Sequence, residues 1–383
     1  MSAESGPTPI PFNMPGVTGR ELPYLQQALA SGHLSGDGRF THRCHTMLEA
    51  LTGAPKVLLT TSCTHALEMA ALLAGLEPGD EVLCPAFTFV SSVNAFVLRG
   101  ARPVFVDIRS DTLNIDERQV EAAITPRTRA LMVMHYAGVG CEMPELMAVA
   151  SRHGLQVIED NAHGLFGAYS GRTLGSYGAT STLSFHETKN LTCGEGGALV
   201  INDPALVARA EILREKGTNR SRFYRGQIDK YTWVDVGSSY LPSDLLAAFL
   251  CAQLESWEEI QTARQAIWRR YDTALAGWAA GEGVGRPHVP AHCTHPAHLY
   301  YLLMPSLEVR TRFIAHLRAQ VVLAVFHYQP LHLSDKGREF GGYVGQCPVT
   351  EDVADRLVRL PLYFQLSKTD QTRVIDAVTS FRI

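Results

Sequence analysis

The chain has 383 residues, a formal net charge of −4 and a pI near 6.4, with 46 % hydrophobic and 19 % charged residues. These values exclude a disordered or fibrous chain and suit two domains of ordinary size. They also disfavour a surface built to neutralise nucleic-acid phosphates. No apolar run approaches the roughly 18 residues of a membrane span, and the opening MSAESGPTPIPFN lacks the basic and apolar regions of a secretory leader.

In chain order, Lys56–Thr60 reads as a strand and Thr64–Leu76 as a helix. Glu81–Cys84, Pro103–Asp107, Leu131–His135 and Leu155–Ile158 read as further strands. Ser91–Arg99, Glu117–Ala123 and Pro144–Arg152 read as the helices between them. Strands alternating with helices predict a parallel sheet covered on both faces, which explains why the strands are near-continuously apolar. Gly178–Phe185 and Gly197–Asn202 are strand-like and flank a glycine-containing loop. Pro204–Glu215 reads as a helix, and Ser243–Ala280 as one long helical stretch able to link two domains. The Gly-, Pro- and His-rich connector Gly281–Pro296 precedes a strand (Leu299–Met304), a helix (Glu308–Gln320), a strand (Val322–Phe326) and a helix from about Lys368. This second region predicts a smaller α+β domain.

The eight cysteines form no CxxC pair and read as reduced thiols of a cytoplasmic protein. His292, His295 and His298 have a suggestive spacing. Pro296 interrupts it, and an irregular connector does not fix a tetrahedral metal site.

Four segments carry chemistry. Thr61-Ser62-Cys63-Thr64-His65 lies where a strand ends and a helix begins, a place for an anion or simply for an N-cap. Glu159-Asp160-Asn161-Ala162-His163 follows a strand, where an acid can meet a cofactor ring nitrogen, a metal or a ribose. Lys189, in SFHETKN before Gly194-Glu195-Gly196-Gly197, is either a solvated loop residue or an inward-reaching amine. Phe89 is either a core side chain or a ring stacked on a planar ligand. Taken together, an anion site, a carboxylate, a lysine and an aromatic on one predicted sheet edge are what pyridoxal 5′-phosphate (PLP) requires.

With these residues in place, the chain resembles the DegT/DnrJ/EryC1/StrS family of PLP-dependent sugar aminotransferases. The resemblance runs through Pro9–Asn13, Ser31–Gly38, PAFTFVSSVNA (85–95), VFVDI (104–108), HYAG (135–138), IEDNAH (158–163), SFHETKN (184–190), GEGGALVIND (194–203), HYQPLH (327–332) and LPLY (360–363). It implies the α/β fold type I of aminotransferases: a large PLP-binding domain (1–256) with a mostly parallel central sheet, and a small C-terminal α+β domain (257–383). It also implies a homodimer with shared active sites.

KVLLTTSCT, FVLRGA (96–101), EILREKGTNR (211–220) and DKYTWVDVGSSYL (229–241) resemble the TDP-4-keto-6-deoxyglucose 4-aminotransferases in particular. Such an enzyme takes its amine from L-glutamate and delivers it to a TDP-linked keto sugar.

The resemblance makes Lys189 the Schiff-base lysine and Asp160 the partner of the ring nitrogen. His163 then lies beside the ring, Phe89 stacks on it, and Cys63, Thr64, His65 and Ser184 hold the phosphate. Ser239 and Leu241 stand where most relatives carry Asn and Arg in the segment that crosses to the partner's phosphate. His327 and Tyr328 are implied near the sugar nucleotide. The Lys216, Asn219 and Arg220 loop is implied in the neighbouring subunit's site, with Arg220 on a diphosphate or on the donor's carboxylate. Lys189 argues against the sugar 3-dehydratases, which have His there. A sugar 3-aminotransferase and a catalytically silent PLP- or sugar-nucleotide-binding regulator remain alternatives. A dehydrogenase is not one, because no GxGxxG follows the first strand.

Overall fold

The computed structural model describes residues 8–383. The opening residues 1–7, which belong to the segment read above as no leader, lie outside the described residues.

A seven-stranded sheet is built from β1 (Lys56–Thr60), β2 (Glu81–Pro85), β3 (Arg102–Val106), β4 (Thr128–Met134), β5 (Gln156–Asp160), β8 (Thr180–Ser184) and β9 (Gly197–Ile201), in the order β1-β9-β8-β5-β4-β2-β3. A small side sheet joins β6 (Ala168–Tyr169), β7 (Arg172–Thr173) and β10 (Cys293–Thr294). The C-terminal pair is β11 (Tyr300–Leu303) and β12 (Leu357–Leu360).

Strands β3, β2, β4, β5 and β8 pair in parallel. Strand β9 is antiparallel to both β8 and β1, so β1 runs the same way as β8 and β9 alone is reversed. Six strands therefore deliver their carboxyl ends to one edge, where ligands bind in such sheets.

Alternate residues of β1 show how both faces are covered. Leu58 packs with Ala66, Leu67 and Met69 of α3 (Cys63–Leu73). Val57 and Leu59 pack with Phe40, Cys44 and Leu48 of the helix Arg39–Thr52 and with Ala247 and Leu250 of the helix Asp244–Glu255. A fully buried side chain of this size stabilises the fold by roughly 1.5–3 kcal/mol.

A separate core gathers Trp268, Tyr271 and Leu275 of the helix Trp257–Gly281 with Tyr300, Leu302, Phe313, Val358 and Val374. Ile10 belongs to this second core, and its N–H donates to Val321 O at 2.8 Å. The described start of the chain thus packs on the C-terminal half.

Two expectations change. Ser243–Ala280 is two helices, broken at Ser256, where the backbone turns to φ −105° and ψ 11°. Val322–Phe326 is not a ladder strand; it makes isolated bridges from Val322 to Ile10 and from Val325 to Arg359. Two helices that the sequence reading did not address, α1 (Glu21–Ala30) and α2 (Arg39–Thr52), precede β1. All eight cysteines are free thiols. Among the described residues, no helix is long and apolar enough to cross a membrane.

Candidate active site

A cavity of about 880 Å³ opens at the sheet's carboxyl edge, and residues of the C-terminal third, among them His298, Phe326 and Arg359, line part of it. Cys63, Thr64, Phe89, Asp160, His163, Ser184, Lys189, His327 and Tyr328 all line it.

Strand β1 ends at Thr60 and α3 begins at Cys63, with Ser62 as its N-cap. The Ser62 hydroxyl accepts from His65 N–H at 3.1 Å. The first N–H groups of a helix have no intrahelical acceptor, so those of Cys63 and Thr64 remain open to an anion at the positive end of the helix dipole. His65 differs from the expectation. Its N–H is capped, its ring bonds Thr61 Oγ1 and packs against Tyr240, and it does not line the cavity.

Gly197 explains part of the glycine run. A Cβ there would lie 2.3 Å from Cys63 N, so only a residue without a side chain lets β9 start beside the α3 N-terminus.

Asp160 ends β5. Its Oδ2 accepts from Ser92 Oγ at 2.6 Å and its Oδ1 from Ala162 N–H at 3.0 Å. Ser92 lies in α4 (Val90–Val97) and also contacts Thr88 Oγ1 at 3.0 Å. Two donors fix the orientation of the carboxylate. The neighbouring Glu159 has a different job. It accepts from the N–H groups of Gly175, Tyr177 and Gly178 and meets His135 Nε2 at 2.9 Å, which fastens the loop before β8.

Lys189 follows β8. The residue is half-buried because it faces the cavity, yet its amine sits deep enough that desolvation brings its pKa down to about 8. The Asp160 carboxylate opposes that shift, and the Arg359 guanidinium adds to it.

His163 is held neutral by burial. Tyr328, whose burial keeps its phenol protonated, lies 3.3 Å from His163 Nε2. His163 Nδ1 is buried without a hydrogen-bond partner. With Tyr328 donating to Nε2, the proton sits on Nδ1 as an unused donor.

PLP fits this set. Open helix N–H groups suit its phosphate, a held carboxylate suits its ring nitrogen, an amine of lowered pKa suits its aldehyde, and the unused His163 donor suits a phenolic oxygen. Phe89 is 54 % exposed, unusual for a phenylalanine without a ligand to cover.

Ser239 and Arg220 do not line the cavity of their own chain. Ser239 is exposed and bridges Glu215. Arg220 donates to Tyr224 Oη at 2.5 and 3.0 Å.

Four contributors were not singled out from the sequence as site residues: Ser92, Tyr136, His298 and Arg359. His298 packs against His163 with ring centroids 4.1 Å apart and the rings tilted by 30°, and its Nδ1 meets Asn190 Oδ1 at 2.9 Å. Tyr136 bonds His327 Nδ1 at 2.7 Å. His292 and His295 point elsewhere, onto Tyr169 at 4.5 Å and Trp268 at 4.4 Å. The three connector histidines therefore have three separate neighbours.

Comparison with known proteins agrees with this geometry. The chain is 34 % identical over 377 residues to the spore coat polysaccharide biosynthesis protein SpsC of Bacillus subtilis (strain 168), covering 96 % of each chain. It is similar in structure to the aminotransferase TlmJ from Streptoalloteichus hindustanus (TM-score 0.88, 31 % identity, 97 % of this chain and 98 % of that one). It is likewise similar to the PLP form of Spr1654 from Streptococcus pneumoniae, a candidate sugar aminotransferase (TM-score 0.89, 27 % identity, 97 % and 98 %). A model of the DegT/DnrJ/EryC1/StrS aminotransferase family matches residues 16–379, and the chain belongs to that family of PLP-dependent sugar aminotransferases.

Proposed function

We propose that the protein transfers the amino group of L-glutamate to C4 of TDP-4-keto-6-deoxyglucose, giving a TDP-4-amino-4,6-dideoxy sugar. The observation that carries this reading is the Lys189 amine, with its lowered pKa, in one cavity with the held Asp160 carboxylate. The choice of sugar rests on the segments at 96–101, 211–220 and 229–241 that resemble the 4-aminotransferases.

In this reading the Cys63 and Thr64 N–H groups and the Ser184 hydroxyl bind the phosphate. Phe89 covers the cofactor ring, Asp160 holds the charge on the ring nitrogen, and His163 donates from Nδ1. PLP, when bound, supplies an electrophilic carbon for the donor's amine and a ring that accepts the electron pair. Lys189, once released as a free amine, takes the proton from the donor's α-carbon. In the second half-reaction it delivers a proton to C4 of the sugar. A base with a pKa of about 8 suits both directions near neutral pH. Tyr328 and His327, ring centroids 3.7 Å apart, form the wall that meets the sugar.

We further propose a homodimer with shared sites. Phe223, Tyr224, Tyr231, Trp233, Val234 and Val236 lie in one segment and are 37–77 % exposed, Trp233 most of all. So much open apolar surface favours a protein partner. Arg220 and Ser239 lie in or beside this segment, outside their own cavity, which supports their reaching the partner's site. A division into domains 1–256 and 257–383 is supported by the break between two helices at Ser256 and by the separate C-terminal core, which Ile10 also joins.

The test is amino transfer from L-glutamate to TDP-4-keto-6-deoxyglucose, with the product's amine located by NMR. An amine at C4 supports the reading. Preference for a 3-keto isomer moves the assignment to a 3-aminotransferase.

A further inference from the structure

Arg359 stands in β12, in register with Tyr301, and its backbone is tied to Val325 in both directions at 2.7 and 3.2 Å. Its side chain lines the cavity. Nε and Nη2 donate to Phe326 O at 3.3 and 3.0 Å, and the guanidinium carbon lies 4.7 Å from the Phe12 ring centroid. A guanidinium has five N–H donors, so three are left, including both on Nη1.

No carboxylate pairs with it among the described residues: the groups beside its charge are the phenols of Tyr136 and Tyr328, which burial keeps protonated. The cavity's two acids are engaged elsewhere: Asp160 with Ser92, and Glu195 3.7 Å from His186. A guanidinium taken out of water without an anion is costly, and its free edge matches a carboxylate or phosphate in two parallel hydrogen bonds. The cavity is therefore built to receive an anion at this point.

Two anions enter such a site: the donor's carboxylate and the nucleotide's diphosphate. Arg359 faces the reacting end. The carbonyl it binds belongs to Phe326, next to His327 and Tyr328; Tyr328 lies 3.3 Å from His163 Nε2, and all of these line one cavity with Lys189. The donor's carboxylates lie within a few bonds of its reacting carbon, while the diphosphate lies beyond a hexose ring. We propose that Arg359 is the docking cation for a carboxylate of the amino donor, a role that rests on the aminotransferase reading.

The test compares wild-type, Arg359→Gln and Arg359→Lys holoenzymes. Glutarate, a dicarboxylate that cannot react, is titrated calorimetrically. Loss of the PLP absorbance band with L-glutamate is followed in a single turnover. Each protein, reconstituted with pyridoxamine phosphate, is then mixed with the TDP-keto sugar. Removing a charge-assisted pair should weaken glutarate binding and raise the glutamate half-saturation by about 10- to 100-fold in Arg359→Gln. Arg359→Lys should fall between, and the sugar half-reaction should change less than about 3-fold. Unchanged glutarate affinity overturns the proposal. So does an equal or larger loss in the sugar half-reaction, which assigns Arg359 to the diphosphate. If wild type fails to aminate the sugar, the substrate reading fails while the glutarate and glutamate arms still decide Arg359.

Discussion

Ser92 Oγ donates to Asp160 Oδ2 at 2.6 Å, tying the start of α4 to the end of β5 at the centre of the sheet edge. The carboxylate proposed to hold the cofactor's ring nitrogen is thus aimed by a residue 68 positions earlier in the chain. Ser92→Ala leaves Asp160 with only the Ala162 N–H. A hydrogen bond to a charged group contributes about 1.5–3 kcal/mol. We expect kcat to fall roughly 10-fold with little change in the glutamate KM, and the PLP spectrum to become more sensitive to pH. A pure KM effect would remove Ser92 from this role.

The Lys189 amine predicts a pH dependence in the apoprotein. Its folded pKa, about 8, is below the ordinary lysine value of 10.5. Only the neutral amine attacks an aldehyde, so the rate at which apoprotein captures PLP should rise with pH and level off above about 8. Between the two values the unfolded chain holds a proton that the folded chain does not. The apoprotein should therefore gain stability as pH rises from about 8 toward 10.5. Stopped-flow capture rates and apoprotein melting across pH check both signs.

Gly197→Ala should damage the phosphate site without touching Lys189. The added Cβ meets Cys63 N at 2.3 Å and Ser62 C at 2.4 Å, both backbone atoms that cannot swing aside. Overpacking of this kind costs about 1–3 kcal/mol. The expected result is a lower melting temperature and weaker retention of PLP on dialysis. Unchanged retention would separate β9 from the phosphate turn.

Glu159→Gln should act on folding more than on chemistry. The carboxylate is fully buried and accepts from three backbone N–H groups as well as facing His135. Each oxygen takes two of these contacts and an amide accepts at one end only, so at least one backbone donor is left unsatisfied at a cost of about 1–3 kcal/mol. Denaturant melts of the holoenzyme measure this loss, and kcat of the folded fraction should hold within about 3-fold.

Residues at strand ends were legible in the sequence because strand, turn and functional side chain are contiguous there: Cys63 after β1, Asp160 at the end of β5, Lys189 after β8. Ser92 reaches Asp160 from a helix, and His298 and Arg359 reach the cavity from the C-terminal third of the chain, across separations that no local pattern encodes. The phosphate turn was legible in place but not in detail. The capping of His65 N–H by Ser62 decides which groups stay open, and that depends on cap geometry. VVLAVF has a strand's composition, but Val322 and Val325 find only single-residue partners on either side. Strand propensity states fitness for a sheet, and pairing needs a neighbour to be there.

The central claim is that Lys189 and Asp160 work one PLP through two half-reactions. It is tested most directly by the absorbance spectrum of the holoenzyme, recorded before and after L-glutamate and again after TDP-4-keto-6-deoxyglucose. The account predicts a PLP band near the visible edge that glutamate removes and the keto sugar restores, with no such band bound by Lys189→Ala. No band on adding PLP, or an identical spectrum for Lys189→Ala, would contradict it and favour a silent binding protein.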